Sequence, residues 1–226
     1  MRTSRVRRAA RPAAVAGLAG ALLAGLLVVF ARGAQETPGR GDFGPASPAA
    51  ALPAPEARRT PTGSGPPPAV PGGDGIPGEP TRLALPRLGL RAPVDPVGVA
   101  EDGQVEVPAD PGRVGWYRFS PGPGSGSGSS VVVGHVDDRE QGLGVLVALN
   151  EVRQGDRVTV SRSDGDVVSY EIVARRTVAK SELAGTDAFR RTGRPVLTLV
   201  TCTGPFLPER GGYQNNLVVT AVEVPA

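Results

Sequence analysis

Three textures follow one another along the chain. Positions 12–31 carry no charge, and their centre reads Ala21-Leu22-Leu23-Ala24-Gly25-Leu26-Leu27-Val28-Val29-Phe30. Positions 33–80 almost lack large apolar side chains. From residue 81 onward apolar positions return in short bursts, alternating with polar ones at a period of two, which is the signature of strands. The bursts predict strands over 82–85, 94–99, 105–107, 130–135, 157–162, 167–175, 196–201 and 217–222. Two of them flank Ser163-Asp164-Gly165-Asp166, and an Asp-Gly between alternating runs is a strong hairpin signal. Short helical pieces are expected near 144–150 and 180–190, with Ser181 as N-cap of the second. Many short strands separated by turn residues predict a mainly β domain, a closed or partly closed barrel.

The first texture is long enough to cross a bilayer: about 19 residues at about 1.5 Å each span roughly 28 Å. Arg2, Arg5, Arg7, Arg8 and Arg11 precede it. That asymmetry keeps the N-terminus in the cytoplasm and sends the rest outside. A cleaved signal peptide is the alternative, but the apolar run is longer than an ordinary h-region, and Ala31-Arg32-Gly33-Ala34 is a weak cleavage site. Residues 1–32 are therefore expected to be a basic arm and single membrane anchor. The second texture holds 12 Pro and 10 Gly in its 48 positions. Such a segment buries too little surface to offset its ordering entropy, so 33–80 is expected to be a disordered extracellular spacer. Residues 81–226 are one domain's length of chain.

Charge sharpens this organisation. The chain of 226 residues has a net charge of +3, yet residues 1–32 hold six Arg and no acid, while 33–226 hold 19 basic and 22 acidic side chains. The basicity belongs to the arm, so an extended nucleic-acid surface is not expected. A Gly- and Ser-rich stretch at 120–130 reads as a surface loop or as a mobile wall beside the strand that follows it. Trp116, with Tyr117, reads as core.

The rarest residues carry the candidate chemistry. The chain has one Cys, Cys202, and one His, His135. One cysteine forbids an internal disulfide, and the pair cannot supply a four-ligand zinc site. His135 ends the apolar run Val131-Val132-Val133-Gly134, and Cys202 ends Leu197-Thr198-Leu199-Val200-Thr201. Both lie where strands run out, a place where reactive groups sit on a rigid scaffold. Alone, such a Cys is as readily buried and inert, and such a His merely hydrogen-bonded. Together they are the minimum set for thiol acyl transfer: a thiolate nucleophile, an imidazole acid/base, and a third group for the oxyanion. Asp137 is a candidate to orient the imidazole. Asp137, Asp138 and Glu140 cluster as a calcium site would, but calcium needs six to eight oxygens from several segments. No metal and no cofactor is expected.

The segments Leu197-Thr198-Leu199-Val200-Thr201-Cys202 and Gly134-His135-Val136-Asp137, about 67 residues apart, resemble the cysteine and histidine motifs of sortases. The final Tyr213–Ala221 stretch is similar to that family's last strand. Thr203-Gly204-Pro205-Phe206 resembles class F sortases of high-GC Gram-positive bacteria. The resemblance covers about 81–224. It implies an eight-stranded closed sortase-type β-barrel with short helices. It also implies a membrane-anchored cysteine transpeptidase that cleaves an LPxTG-like sorting signal between Thr and Gly. Cys202 would form the thioester, His135 would act as acid/base, and an amine of peptidoglycan or its precursor would resolve the acyl-enzyme. The family also uses an arginine near the Cys. Its usual position, about 13 residues on, is Asn215 here, and Arg210 is the only Arg in the segment after Cys202. Arg210 is the expected oxyanion or substrate clamp, with Asn215 or backbone N–H groups as the substitute. Thr201 is expected to contact substrate. Two rivals remain at this stage. An L,D-transpeptidase would need a His close before the Cys, and here the only His lies far upstream. A tethered β-domain for binding or structure would carry an inert Cys202.

Overall fold

The structure is a computed structural model that describes residues 41–45 and 78–225. The expected membrane anchor lies outside the described residues. Among the described residues no helix is long and apolar enough to cross a membrane.

Ten strands follow in order: β1 (Pro80–Leu85), β2 (Leu90–Val97), β3 (Val114–Tyr117), β4 (Ser129–Val133), β5 (Asp137–Asp138), β6 (Gly142–Leu143), β7 (Arg157–Arg162), β8 (Val167–Ala179), β9 (Val196–Leu207) and β10 (Gly212–Val224). Eight of them close into a barrel in the order β1-β2-β3-β4-β9-β10-β8-β7, and β5 and β6 form a separate small ribbon. The β2–β3 and β4–β9 pairs are parallel, and the other barrel pairs are antiparallel. The expected closed eight-stranded barrel is therefore present.

Period-two alternation fills the barrel. Leu83, Val158, Val160, Tyr170, Ile172, Leu197, Leu199 and Val219 all point inward and are fully buried or nearly so. Burying a side chain of this kind fully is worth about 1.5–3 kcal/mol. The opposite face of β4, β9 and β10 is not solvated. Val131, Val133, Val200 and Val218 form a second buried cluster there with Val97, packed against Tyr117, Val178, Leu183 and Phe189. Two apolar faces explain why β4 is buried at all five positions, as a central strand covered on both sides reads. This second cluster is the floor on which the site is built.

Trp116 is in the core, as expected. The β7–β8 hairpin forms where the Asp-Gly signal lies: Gly165 takes a φ of 92°, and Arg162 N–H bonds to the Asp166 carbonyl at 2.9 Å. Other expectations are corrected. The short helices are all 3₁₀ turns, over Val145–Glu151, Leu183–Gly185 and Asp187–Phe189. Thr186, not Ser181, caps the last, accepting from Ala188 N–H at 3.3 Å. The run 105–107 contributes only an isolated bridge between Val99 and Val105. The barrel strand that takes its place in the count is β3, Val114-Gly115-Trp116-Tyr117. The 120–130 stretch leads into the start of β4, against Tyr170 and Gly193, whereas His135 follows its end. It is not a wall beside His135.

The spacer is also corrected in part. Strand β8 is 13 residues long, and β7 covers only Val167–Glu171 of it. An open edge binds a partner strand. Phe43 supplies it: its N–H and C=O each bond with Arg175 backbone at 3.0 Å. Asp42 accepts from the Thr177 N–H at 3.0 Å and hydroxyl at 3.2 Å. The buried Arg175 guanidinium reaches back to the Gly41 carbonyl and stacks 5.5 Å from the Phe43 ring centre. Residues 41–45 therefore belong to the folded unit. Five residues with one aromatic and one carboxylate bury enough to be ordered, which the average composition of 33–80 conceals.

Candidate active site

The parallel β4–β9 pair brings the two rare residues together. Val133 pairs with Val200, and the ladder continues as Gly134 N–H bonds to the Val200 carbonyl at 3.2 Å. Counted two residues on in that register, His135 falls level with Cys202. Only His135 stands past a strand end: β9 runs on to Leu207, so the expectation that Cys202 ends its strand is corrected. Thr201 ties this join: its buried hydroxyl donates to the Gly134 carbonyl at 2.8 Å. The expected substrate contact at Thr201 is thus a hydroxyl already committed to holding the residue before His135.

His135 is fixed from two further sides. Its Nε2 lies 3.0 Å from the Pro108 carbonyl. A carbonyl only accepts, so Nε2 carries a hydrogen there, and Nδ1 is the nitrogen left to exchange a proton. Gly144 packs so tightly on the His135 backbone that an added Cβ would collide with its carbonyl. Asp137 does not orient the imidazole. Its carboxylate accepts the Tyr213 hydroxyl at 2.6 Å, which raises the phenol's pKa above its ordinary value. Asp138 accepts from the backbone N–H of Glu140 and Gln141, closing the turn between β5 and β6.

Cys202 is free and half-buried. Burial pushes its thiol up, the Lys180 ammonium pulls it back, and the Asp137 carboxylate adds to the rise. Alternation places Cys202 on the face of Val200, so the sulfur opens onto the outer groove. That groove has a volume of about 670 Å³ and is walled largely by apolar side chains, among them Val99, Val105, Tyr117, Phe119, Leu183 and Phe189. Cys202, Thr201, Gly134, Asn216 and Lys180 lie at one end of it.

The other expected residues fall elsewhere. Arg210 sits in the exposed 3₁₀ turn Pro208–Arg210 at the tip of the β9–β10 hairpin and does not line the groove. Asn215 pairs with Thr203 and packs its amide against Gly204, away from the groove. Its neighbour Asn216 pairs with Cys202 and lines the groove instead. Asn216, Lys180 and Tyr213 were not singled out by residue type. Only the strand order around Cys202 reveals them.

Known proteins agree with this geometry. A family model described as the sortase domain matches residues 83–224. No curated protein matches the chain. Among solved structures, sortase C1 from Streptococcus agalactiae is similar at 24% identity, covering 66% of this chain and 69% of that one with a TM-score of 0.50. Its lid mutant is similar at 21% identity, with 64% and 69% covered and a TM-score of 0.50. Sortase C1 from Streptococcus suis is similar at 17% identity, with 66% and 74% covered and the same score. At these identities the solved structures support the barrel and no finer property.

Proposed function

From the premise that the chain belongs to the sortase family and is a cysteine transpeptidase, we propose that it anchors proteins bearing an LPxTG-like sorting signal to a cell-wall amine. Cys202 is the nucleophile and His135 the acid/base. The observation that carries this reading is the pairing of β4 with β9, whose register, counted two residues past Val133, brings the only His level with the only Cys, and Cys202 lines an apolar groove.

The chemistry runs in two halves. His135 takes the Cys202 thiol proton, the resulting thiolate gives its electron pair to the Thr carbonyl carbon, and the π pair moves onto oxygen. The tetrahedral species collapses, the C–N bond breaks, and the leaving nitrogen takes a proton from the His135 imidazolium. A thioester remains on Cys202. An incoming amine attacks it, gives its proton to His135, and expels the thiolate. The groove walls suit the Leu and Pro side chains of such a signal, because apolar surface leaves water when they dock. Water is the competing nucleophile, and a groove lined by Val, Leu and Phe limits its access.

The protein is placed at the outer face of a Gram-positive cell membrane, held by the apolar segment at 12–31 with the basic arm inside. The Gly-Pro-Phe segment at 204–206 favours class F within the family. Arg210 stands at the hairpin tip and does not line the groove, so the chemistry is not routed through it.

A peptide carrying LPxTG, mixed with an amine acceptor, tests the proposal. The chain is expected to cleave between Thr and Gly and to form the new amide. Cys202→Ala and His135→Ala are each expected to lose at least about a thousandfold in rate. Wild-type turnover in either variant contradicts the assignment of that residue.

A further inference from the structure

The acyl-transfer step creates negative charge twice at one place. It sits first on the Cys202 sulfur, then on the oxygen of the carbonyl carbon bonded to that sulfur. A site for this chemistry needs a positive or donor group there. Among the described residues, two arginines come into question. Arg210 is exposed at the hairpin tip, five residues and more beyond Cys202 along β9, which is about 17 Å of strand. Arg191 lines the groove, but its backbone packs against Gly128, just before β4 begins. The sulfur lies beyond that strand's other end. Neither guanidinium is placed beside the sulfur.

The strand register supplies a different cation. Cys202 pairs with Asn216 on β10, and Asn216 pairs with Val178 on β8. Val178 packs on the second apolar cluster, so it marks the groove face of β8. Lys180 lies two residues further and keeps that face. Its backbone N–H bonds to the Gln214 carbonyl at 3.0 Å, which holds it in line with the sheet past the end of β8. Lys180, Asn216 and Cys202 accordingly line the same end of the groove.

We propose that Lys180 is the cation of the site, its ammonium standing beside the Cys202 sulfur across β10 and stabilising first the thiolate and then the oxyanion. The inference rests on the acyl-transfer reading for its second half only. The lysine stem reaches over Asn216 from the neighbouring strand, so a long side chain is required there. Both groups line the groove, and the ammonium opposes the rise that burial imposes on the thiol. The other groups around Cys202 are Asp137 on β5 and Tyr213 and Asn216 on β10, with His135 level with it past the end of β4 by the β4–β9 register. Of the carboxylates, Asp137 acts on the sulfur with the opposite sign to Lys180. Lys180 thus offsets both a buried environment and a nearby negative charge.

Cys202 is the only thiol in the chain, so its alkylation by iodoacetamide can be followed by mass on the full-length protein across pH, with no substrate present. In Lys180→Met the midpoint of the alkylation profile is expected to move up by about one pH unit or more, because the thiolate loses its cation. Lys180→Arg is expected to restore most of the shift. With an LPxTG peptide, Lys180→Met is expected to lower kcat at least about tenfold with a smaller change in KM. Thermal unfolding confirms that each variant is folded. An unchanged alkylation midpoint in folded Lys180→Met overturns the proposal. So does a change in KM alone, which would make Lys180 a substrate contact. If the midpoint moves but the parent chain cleaves no sorting peptide, the Lys180–Cys202 pairing stands and the acyl-transfer reading falls.

Discussion

The Thr201 hydroxyl is worth more to the site than its size suggests. It is buried, it donates to the Gly134 carbonyl, and that bond joins the residues just before Cys202 and His135. Thr201→Val keeps the shape and removes the donor, leaving a buried carbonyl without this partner. That costs about 1–2 kcal/mol. A urea titration is expected to show this loss, together with a fall in kcat and an almost unchanged rate of Cys202 alkylation. Wild-type stability and turnover would show that the strand ends are held by something else. Rarity and motifs singled out Cys202 and His135, and the β4–β9 register counted on past Val133 sets them level. Asn215 was misplaced for a definite reason. In the outer hairpin Tyr213 pairs with Phe206, and a ladder kept in that register would set Cys202 opposite Leu217 and turn Asn215 into the groove. A bulge between Tyr213 and Asn215 shifts the register by one, so Asn216 faces the groove. Counting along the chain cannot foresee a bulge.

At the scale of elements, alternation of apolar and polar positions identified β7 to the residue and located most of the other barrel strands. It failed where the pattern is too short to have a period. β3 has four residues, one of them Gly, and is held by a parallel pairing with β2 that arises only in three dimensions. It failed differently at 41–45, where a Pro- and Gly-rich context concealed a partner for the open edge of β8. That segment makes a prediction of its own. Phe43 packs on the barrel core and under the Arg175 guanidinium. Phe43→Ala in the full chain is expected to lower stability by about 2 kcal/mol, less than a fully buried Phe because the ring is only partly covered. Chemical denaturation measures it, with Thr177→Val as a second probe through Asp42. If both variants unfold as the parent does, the 41–45 pairing contributes nothing to the fold. A chain cut at residue 81 would lose this pairing and the first residue of β1, so the functional unit is better taken with the segment than without it.

At the scale of the whole molecule, the barrel has two apolar faces on the same three strands. The inner one holds the fold together. The outer one, over Val131, Val133, Val200 and Val218, is the floor of a groove that ends at the sulfur. One set of strands therefore both stabilises the domain and floors the groove, with the proposed nucleophile on β9 and the proposed acid/base in the connection just past β4. The sequence motifs pointed to the thiol and the imidazole, but the lysine proposed as their cation stands just past β8, which the sheet order sets across β10 from Cys202. The central claim is that this sulfur carries the acyl group. Mixing the full-length protein with an LPxTG peptide, quenching in acid within the first turnover and weighing the intact protein tests it most directly. The account predicts a transient mass increase equal to the LPxT acyl fragment, mapped to Cys202, cleared by an added amine and absent from Cys202→Ala. Peptide cleavage that persists in Cys202→Ala, or that proceeds with no covalent adduct on Cys202 at any time, would contradict it.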